Sequence, residues 1–252
     1  MSLYVYGVVG PGHPGPPAGR TGVGASPVRL LGAGKGAPAA VVGDAPDGLR
    51  ARRRDLTAHQ GLLTALAADG PVLPMRFGVV LPDEAALLDQ LASRRPAHER
   101  ALERVADRVE MNVKAQPAQG EAALARLLAE DQGLRALRDR GLRRPGYEAS
   151  VRLGQAVSDA LERRARLAAE RVRRALAPLA AEMCDGPEVE GCVLNVSVLL
   201  AQDAEAAFRA EVDRLAAELA GRAELLLTGP LPCYSFVPAE APTSPAPKRA
   251  AV

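Results

Sequence analysis

The chain has 252 residues, 48% hydrophobic and 25% charged, with a formal net charge of +2. That length accommodates two domains of roughly 100 to 150 residues each. Basic against acidic residues number 14 to 11 up to residue 117, 13 to 10 from 118 to 185, and 5 to 9 beyond, so no segment has the one-sided charge of a nucleic-acid binder. Only seven residues are aromatic, three Phe and four Tyr, which leaves little for base stacking. Cys184, Cys192 and Cys233 are odd in number and far apart, and they form no C-x-x-C. They therefore predict a reducing compartment, with neither a disulfide framework nor a zinc cluster. The opening MSLYVYGVVGPG has no basic n-region, and no apolar run approaches the ~18 residues of a membrane span. The expectation is a cytoplasmic protein with no membrane segment.

In chain order, LYVYGVV (3–9) is β-branched and aromatic and predicts a strand. The Gly/Pro tract that follows predicts a mobile loop over 10–38 with no packed element. AAVVGDA (39–45) predicts a second strand, and from Asp55 a helix places Leu62, Leu63 and Leu66 on one face before Gly70-Pro71 stops it. PVLPMRFGVVL (71–81) reads as extended, with Pro74 marking an edge or a bulge. Pro82-Asp83-Glu84 opens another helix, a further helical piece follows Pro96, and VEMNVKA (109–115) alternates as a closing strand. This order is that of a ferredoxin-like α/β domain spanning 1–117.

After Gln116-Pro117 the pattern is helical over 121–140, breaks at Gly141 and Pro145-Gly146, and resumes in a long helix from Tyr147 into the 180s. Its apolar positions, from Leu153 and Val157 to Val172 and Leu179, are spaced by four and three, which predicts a helical hairpin or coiled coil that Pro178 kinks or ends. CVLNVSVLL (192–200), a helix from Asp203 carrying Phe208, Val212, Leu215 and Leu219, and AELLLTG (223–229) predict a small β-α-β segment. The second domain thus runs over 118–237, and the Pro/Ala tail 238–252 is expected to be disordered. The fold class is α+β: a ferredoxin-like N-terminal domain, a long helical hairpin and a small βαβ C-terminal part.

No catalytic constellation is legible. GAGKGA (32–37) lacks the order of a phosphate-binding loop and precedes a strand, so it reads as a plain loop. His13, His59 and His98 are scattered, and a solvated or capping role is expected for each. There is no G-x-S-x-G, and no cysteine has recognisable activating neighbours. Neither an enzyme, a cofactor, a metal nor a small-molecule substrate is predicted. In ERRARLAAERVRR (162–174) the arginines read as a solvated face with pairs such as Glu170 with Arg174. The alternative is a surface for an acidic partner through Arg163, Arg164, Arg171 and Arg174.

LYVYGVV, VLPMRFGVVL (72–81) and LTGPLPCYSFV (227–237), in this order and spacing, resemble the gas vesicle GvpF/GvpL family. VEMNVKA, Pro145-Gly146-Tyr147 and the Leu194-Asn195 pair are similar to that family's pattern too. Its terminal motif usually reads Gly-Pro-Trp-Pro-Pro-Tyr, whereas Leu231 and Cys233 stand here for the Trp and the second Pro. The resemblance implies a non-enzymatic, cytoplasmic accessory or minor structural protein of gas vesicles. Such a protein takes part in shell assembly and contacts the major shell protein and other vesicle proteins. The residues themselves leave a second reading open, a ferredoxin-like small-molecule sensor with the Gly/Pro loop over a ligand.

The motif residues also have structural expectations. Gly229 and Pro230 carry the last strand into a stiff extended path, and Tyr234 and Phe236 bury their rings and pin the end of the chain. Pro74, Phe77 and Gly78 repeat the device, and Arg76 beside the Phe77 ring is expected to pair with Glu110.

Overall fold

A computed structural model describes residues 2–32, 34 and 36–237. The tail 238–252 and two residues of the 32–37 loop, Ala33 and Lys35, lie outside the described residues. The chain divides into two compact units, 1–110 with 230–252, and 111–229. The expected boundary after residue 117 therefore falls earlier, and residues 230–237 belong to the first unit.

In the first unit, β1 (Leu3–Val9) is buried at all seven positions, as its run of Val and Tyr demands. It pairs antiparallel with β3 (Ala39–Asp44), and the register shifts between Val5 and Gly7, so Tyr6 sits at a bulge. Outside β3 lies β2 (Val28–Gly32), inside the tract expected to be loop. The same tract forms a 3₁₀ turn at Val23–Ala25 whose Val23 is fully buried. The expectation of an unpacked tract is corrected by this contact. Glycines do not prevent packing where a neighbouring side chain supplies the core.

The other edge of β1 is one interrupted strand. β4 (Val72–Pro74) and β5 (Val80–Leu81) both pair with β1, with a register that advances by three residues between Gly7↔Pro74 and Tyr4↔Val80. The Met75 and Val79 backbones still bond β1, so Arg76, Phe77 and Gly78 form the excursion, with Gly78 at φ 95°. Here Pro74 stands on an edge beside a bulge, as read from the sequence. The helix α1 (Arg53–Asp69) lays Leu62, Leu63 and Leu66 on Tyr4, Tyr6, Val9 and Val41. α2 (Glu84–Ser93), capped by the Asp83 carboxylate on the Ala86 N–H, and α3 (Arg95–Val105) contact β2, β4 and β5.

The second unit corrects the ferredoxin-like reading. β6 (Arg108–Pro117) does not close the first sheet; it lies in a second sheet ordered β7-β8-β6-β9. β7 (Glu182–Asp185), a short strand missed in the sequence, pairs antiparallel with β8 (Leu194–Ala201). Ser197 and Leu199 are buried as well as Leu194, Val196 and Val198, so both faces of β8 are covered. The segment expected as one helix over 121–140 is two, α4 (Gly120–Glu130) and α5 (Gln132–Arg143), divided at Asp131, whose carboxylate caps the Leu134 N–H. Both contact α6 (Tyr147–Leu176), which ends before Pro178. Early on α6, Val157 and Leu161 are half-buried against Leu127 and Leu134, whereas Ala165, Ala168, Val172 and Leu176 further along are fully buried. A uniform two-helix seam is thus replaced by two different environments along one helix. α7 (Glu205–Glu218) buries Phe208, Val212 and Leu215, packs on α6, and leads to β9 (Ala223–Leu231).

Candidate functional site

The first unit is built around an aromatic cluster with a histidine inside it. Tyr4 and Tyr6 project from β1 with ring centroids 4.7 Å apart; His59 stacks on Tyr6 at 5.6 Å and meets Tyr4 and Phe77 edge-on. The expectation of a solvated or capping His59 is corrected: the ring is 3% exposed and bonded on both nitrogens. Its Nε2 lies 3.1 Å from the Met75 carbonyl and must donate, so Nδ1, 2.9 Å from Tyr4 Oη, accepts from the hydroxyl. That hydroxyl in turn accepts from the Gly78 N–H at 3.1 Å. The chain Gly78 N–H, Tyr4, His59, Met75 carbonyl therefore ties α1 to the excursion after β4. Burial lowers the His59 pKa, against the opposing hydrogen bond to Met75, and burial raises those of Tyr4 and Tyr6. All three groups are neutral at pH 7, and their hydrogen bonds are already engaged, so the cluster is a structural centre.

Tyr6 Oη accepts the Val23 N–H at 2.6 Å and anchors the glycine-rich turn. His13 does act as a cap: its Nε2 donates to the Leu66 carbonyl in the last turns of α1, at 3.0 Å. His98 is buried on α3, contrary to a solvated role.

At the C-terminal corner β9 carries Gly229 (φ 144°) and Pro230 to Leu231, and a 3₁₀ turn follows at Tyr234–Phe236. Phe236 is 2% exposed, and Tyr234 packs half-buried against the Tyr4–Tyr6 cluster. Glu110, however, does not face Arg76. The carboxylate is 3% exposed and accepts from the Ser235 N–H at 2.8 Å and the Ser235 hydroxyl at 2.7 Å, while Arg76 is exposed to solvent. An edge excursion points the guanidinium outward, so it needs no buried partner. Burial, reinforced by the Glu110 charge, pushes the Cys233 thiol and the Tyr234 hydroxyl each up to about 12. Cys233 is thereby a packing group and not a nucleophile.

The motif asparagines of the second unit meet across neighbouring strands. Asn112 Nδ2 donates to Asn195 Oδ1 at 2.9 Å, and Asn195 Nδ2 donates to the Pro187 carbonyl at 2.8 Å. Their work is to fix the approach to β8.

The four arginines singled out on α6 have different fates. Arg164 pairs with Glu130, and Arg171 pairs with Glu218, so these two guanidiniums serve the packing of α6 on α4 and α7. Burial raises the Glu130 pKa, but the Arg126 hydrogen bond and the charges of Arg164 and Arg222 outweigh it and hold the carboxyl below its usual range. Arg174 Nε donates to the Glu170 backbone carbonyl at 3.4 Å instead of to its carboxylate. Arg163 is exposed and lines an open cleft of about 340 Å³ between α5 and α6 with Arg140, Asp131 and Asp159.

A second open cleft, about 830 Å³, lies in the first unit between the glycine-rich tract and the start of α1, lined by Arg20, Arg53, Arg54, Thr21 and Thr57. No signal in the sequence placed Arg20 beside α1, because the tract was read as unpacked. Among the described residues, no group of three or more His, Cys, Asp or Glu is placed to hold a metal, and no helix is long and apolar enough to cross a membrane.

The chain is 40% identical over 241 residues to gas vesicle protein F of Streptomyces sp. strain CB03234, covering 94% of this chain and all of that protein. It is 36% identical over 132 residues to gas vesicle protein L of the same strain, covering 47% of this chain and 49% of the relative. The crystal structure of GvpF from Anabaena sp. PCC7120 superposes with a TM-score of 0.73 at 21% identity, covering 95% of this chain and 99% of the other. That of GvpF from Microcystis aeruginosa gives 0.69 at 21% identity, covering 94% and 98%. These two show the fold. The family model for gas vesicle synthesis protein GvpL/GvpF matches residues 2–238, and the chain belongs to that family.

Proposed function

We propose that this chain is a non-enzymatic accessory protein of gas vesicle synthesis that takes part in building the shell by binding the major shell protein and other vesicle proteins. It works in the cytoplasm, where the vesicle grows. The observation that carries the reading is the match to a synthesis family over residues 2–238, in a chain whose aromatic, glutamate and asparagine motif residues other than Tyr147 are engaged in folding. Tyr4, Phe77, Glu110 and Phe236 stabilise the first unit, Asn112 and Asn195 the second, and neither set leaves a reactive group exposed. Binding then falls to surfaces, and of the four α6 arginines Arg163 and Arg174 are the exposed ones not committed to a carboxylate of a packed helix.

The test is co-sedimentation of the purified chain with the major shell protein, with turbidity of the shell protein as the second readout. Retention of shell protein in the supernatant supports the reading; unchanged aggregation at excess chain overturns it.

A small-molecule sensor remains a second reading because of the cleft at Arg20, Arg53 and Arg54, whose three guanidiniums suit an anionic ligand. A rise in Tm with inorganic phosphate or a nucleotide, abolished by Arg20→Gln, supports that reading, and no shift removes it.

A further inference from the structure

The turn joining α5 to α6 does not follow the economy of the rest of the molecule. Tyr147 is 86% exposed, in a chain where Tyr4, Tyr6, Phe208 and Phe236 are at most 2% exposed. Leu142, five residues earlier, is 74% exposed, and Val151, one helical turn after Tyr147, is 46% exposed. Folding gains nothing from three apolar side chains held in water at one tip. Around them stand six arginines and two acidic residues over 132–152, a local charge of +4 against +2 for the whole chain. Both acids are already engaged, Asp139 with Arg138 and Glu148 with Arg152. Arg140, Arg143 and Arg144 are exposed, and no ion pair ties them to a carboxylate among the described residues. Arginine in the last turn of α5 suits the helix C-terminus electrostatically. That preference accounts for one or two charges and for none of the exposed Leu and Tyr.

We infer that this tip is the protein's docking surface, and that its occupant is an acidic amphipathic helix of a partner protein. The inference rests on the assembly reading and moves the contact from the face of α6 to its N-terminal end. Tyr and Arg together are the side chains that dominate binding energy at protein interfaces, since both bring large contact area with directed polar groups. Planar guanidiniums pair with carboxylates through two parallel hydrogen bonds, which a helix presenting Glu or Asp beside a Leu or Ile stripe supplies. The charge thus selects an acidic partner, and the exposed Leu142, Tyr147 and Val151 side chains select one with an apolar face.

The test uses the full chain and a fluorescein-labelled amphipathic peptide of about 18 residues, long enough to form a helix, with Glu on one face and Leu on the other. A peptide with every Glu replaced by Lys is the control. Anisotropy in about 150 mM salt is expected to show saturable binding of the Glu peptide alone. Leu142→Ser with Tyr147→Ser, and separately Arg143→Gln with Arg144→Gln, are each expected to weaken it at least tenfold at unchanged Tm, as all four side chains are exposed. Arg50→Gln with Arg52→Gln, in the first unit, should leave it unchanged. Equal binding of the two peptides, or no loss in either tip variant, overturns the inference. So does tip-dependent self-association in sedimentation velocity, which makes the occupant a second copy. Tip-dependent binding to phosphatidylserine vesicles without peptide binding overturns it in favour of a lipid surface. If the tip variants still keep shell protein soluble as well as the parent does, the inference fails while the assembly reading stands.

Discussion

Acidification should loosen the first unit through His59. The imidazole is 3% exposed, donates to the Met75 carbonyl and accepts from Tyr4, so a second proton would have to displace the Tyr4 hydroxyl from Nδ1. Burial holds its folded-state pKa below the unfolded value of about 6.5. The unfolded chain therefore takes up a proton where the folded chain does not. Its contribution is complete above about pH 6.5 and is lost progressively as pH falls toward the folded-state value, at a limiting slope of about 1.4 kcal/mol per pH unit. Between about pH 7.5 and pH 5.5 the loss is at most about 1.4 kcal/mol, because the first unit of that range lies above the unfolded pKa. Tyrosine near-UV circular dichroism in a urea titration isolates this unit, since Tyr4, Tyr6 and Tyr234 pack in its core and Tyr147 is solvated. The expected result is a urea midpoint that falls with pH in the parent and less steeply in His59→Gln, a change that removes the titrating group. Parallel pH profiles for the two proteins, or a parent that gains stability on acidification, would refute the argument.

Gly22→Ala should be severe although its φ of −105° suits any residue, because a Cβ there overlaps Tyr6 Oη and lies 2.6 Å from Tyr6 Cζ. Displacing the ring strands the Val23 N–H, for an expected loss of ~2–4 kcal/mol read by the same urea titration. Glu110→Ala removes both acceptors of Ser235 and is expected to cost ~2–3 kcal/mol and to expose residues 230–237 to limited proteolysis, whereas Arg76→Ala, at an exposed position, should stay within ~0.5 kcal/mol. Cys233, with a thiol pKa of about 12, has a thiolate fraction on the order of 10⁻⁴ at pH 8. Mass spectrometry after brief iodoacetamide treatment should find it unmodified in the folded protein and alkylated in denaturant.

The sequence is most legible where one periodic pattern meets one burial pattern. β1, the leucine face of α1 and the Phe208–Val212–Leu215 stripe of α7 could be read directly for that reason. His59 was readable too, because Asp55, His59, Leu62, Leu63 and Leu66 share one helical face, and Asp55 and His59 are both buried with the leucines. The residue types argued for solvent and the spacing argued for the core; spacing was the better guide. The destination of β6 was not readable. Its alternation is the same whichever sheet it joins, and its neighbour β8 lies some 80 residues away in sequence, as the Asn112–Asn195 pair shows. Val28–Gly32 and Glu182–Asp185 are edge strands of half-buried and exposed residues, so no hydrophobic alternation marks them. The pairing of Arg76 with Glu110 failed for a related reason: nothing in one dimension reports that a three-residue excursion turns a side chain outward.

The assignment of residues 230–237 to the first unit also bears on biosynthesis. A protein is made from its N-terminus, and domains ordinarily complete themselves in that order. Here the second unit is whole once residue 229 has left the ribosome, whereas the first waits for Ser235 to engage Glu110 and for Tyr234 and Phe236 to complete its core. The part begun earliest is finished last. A chain cut before Pro230 leaves Glu110 without Ser235 and the Tyr4–Tyr6 cluster without Tyr234, so the first unit stays unclosed until those last residues arrive.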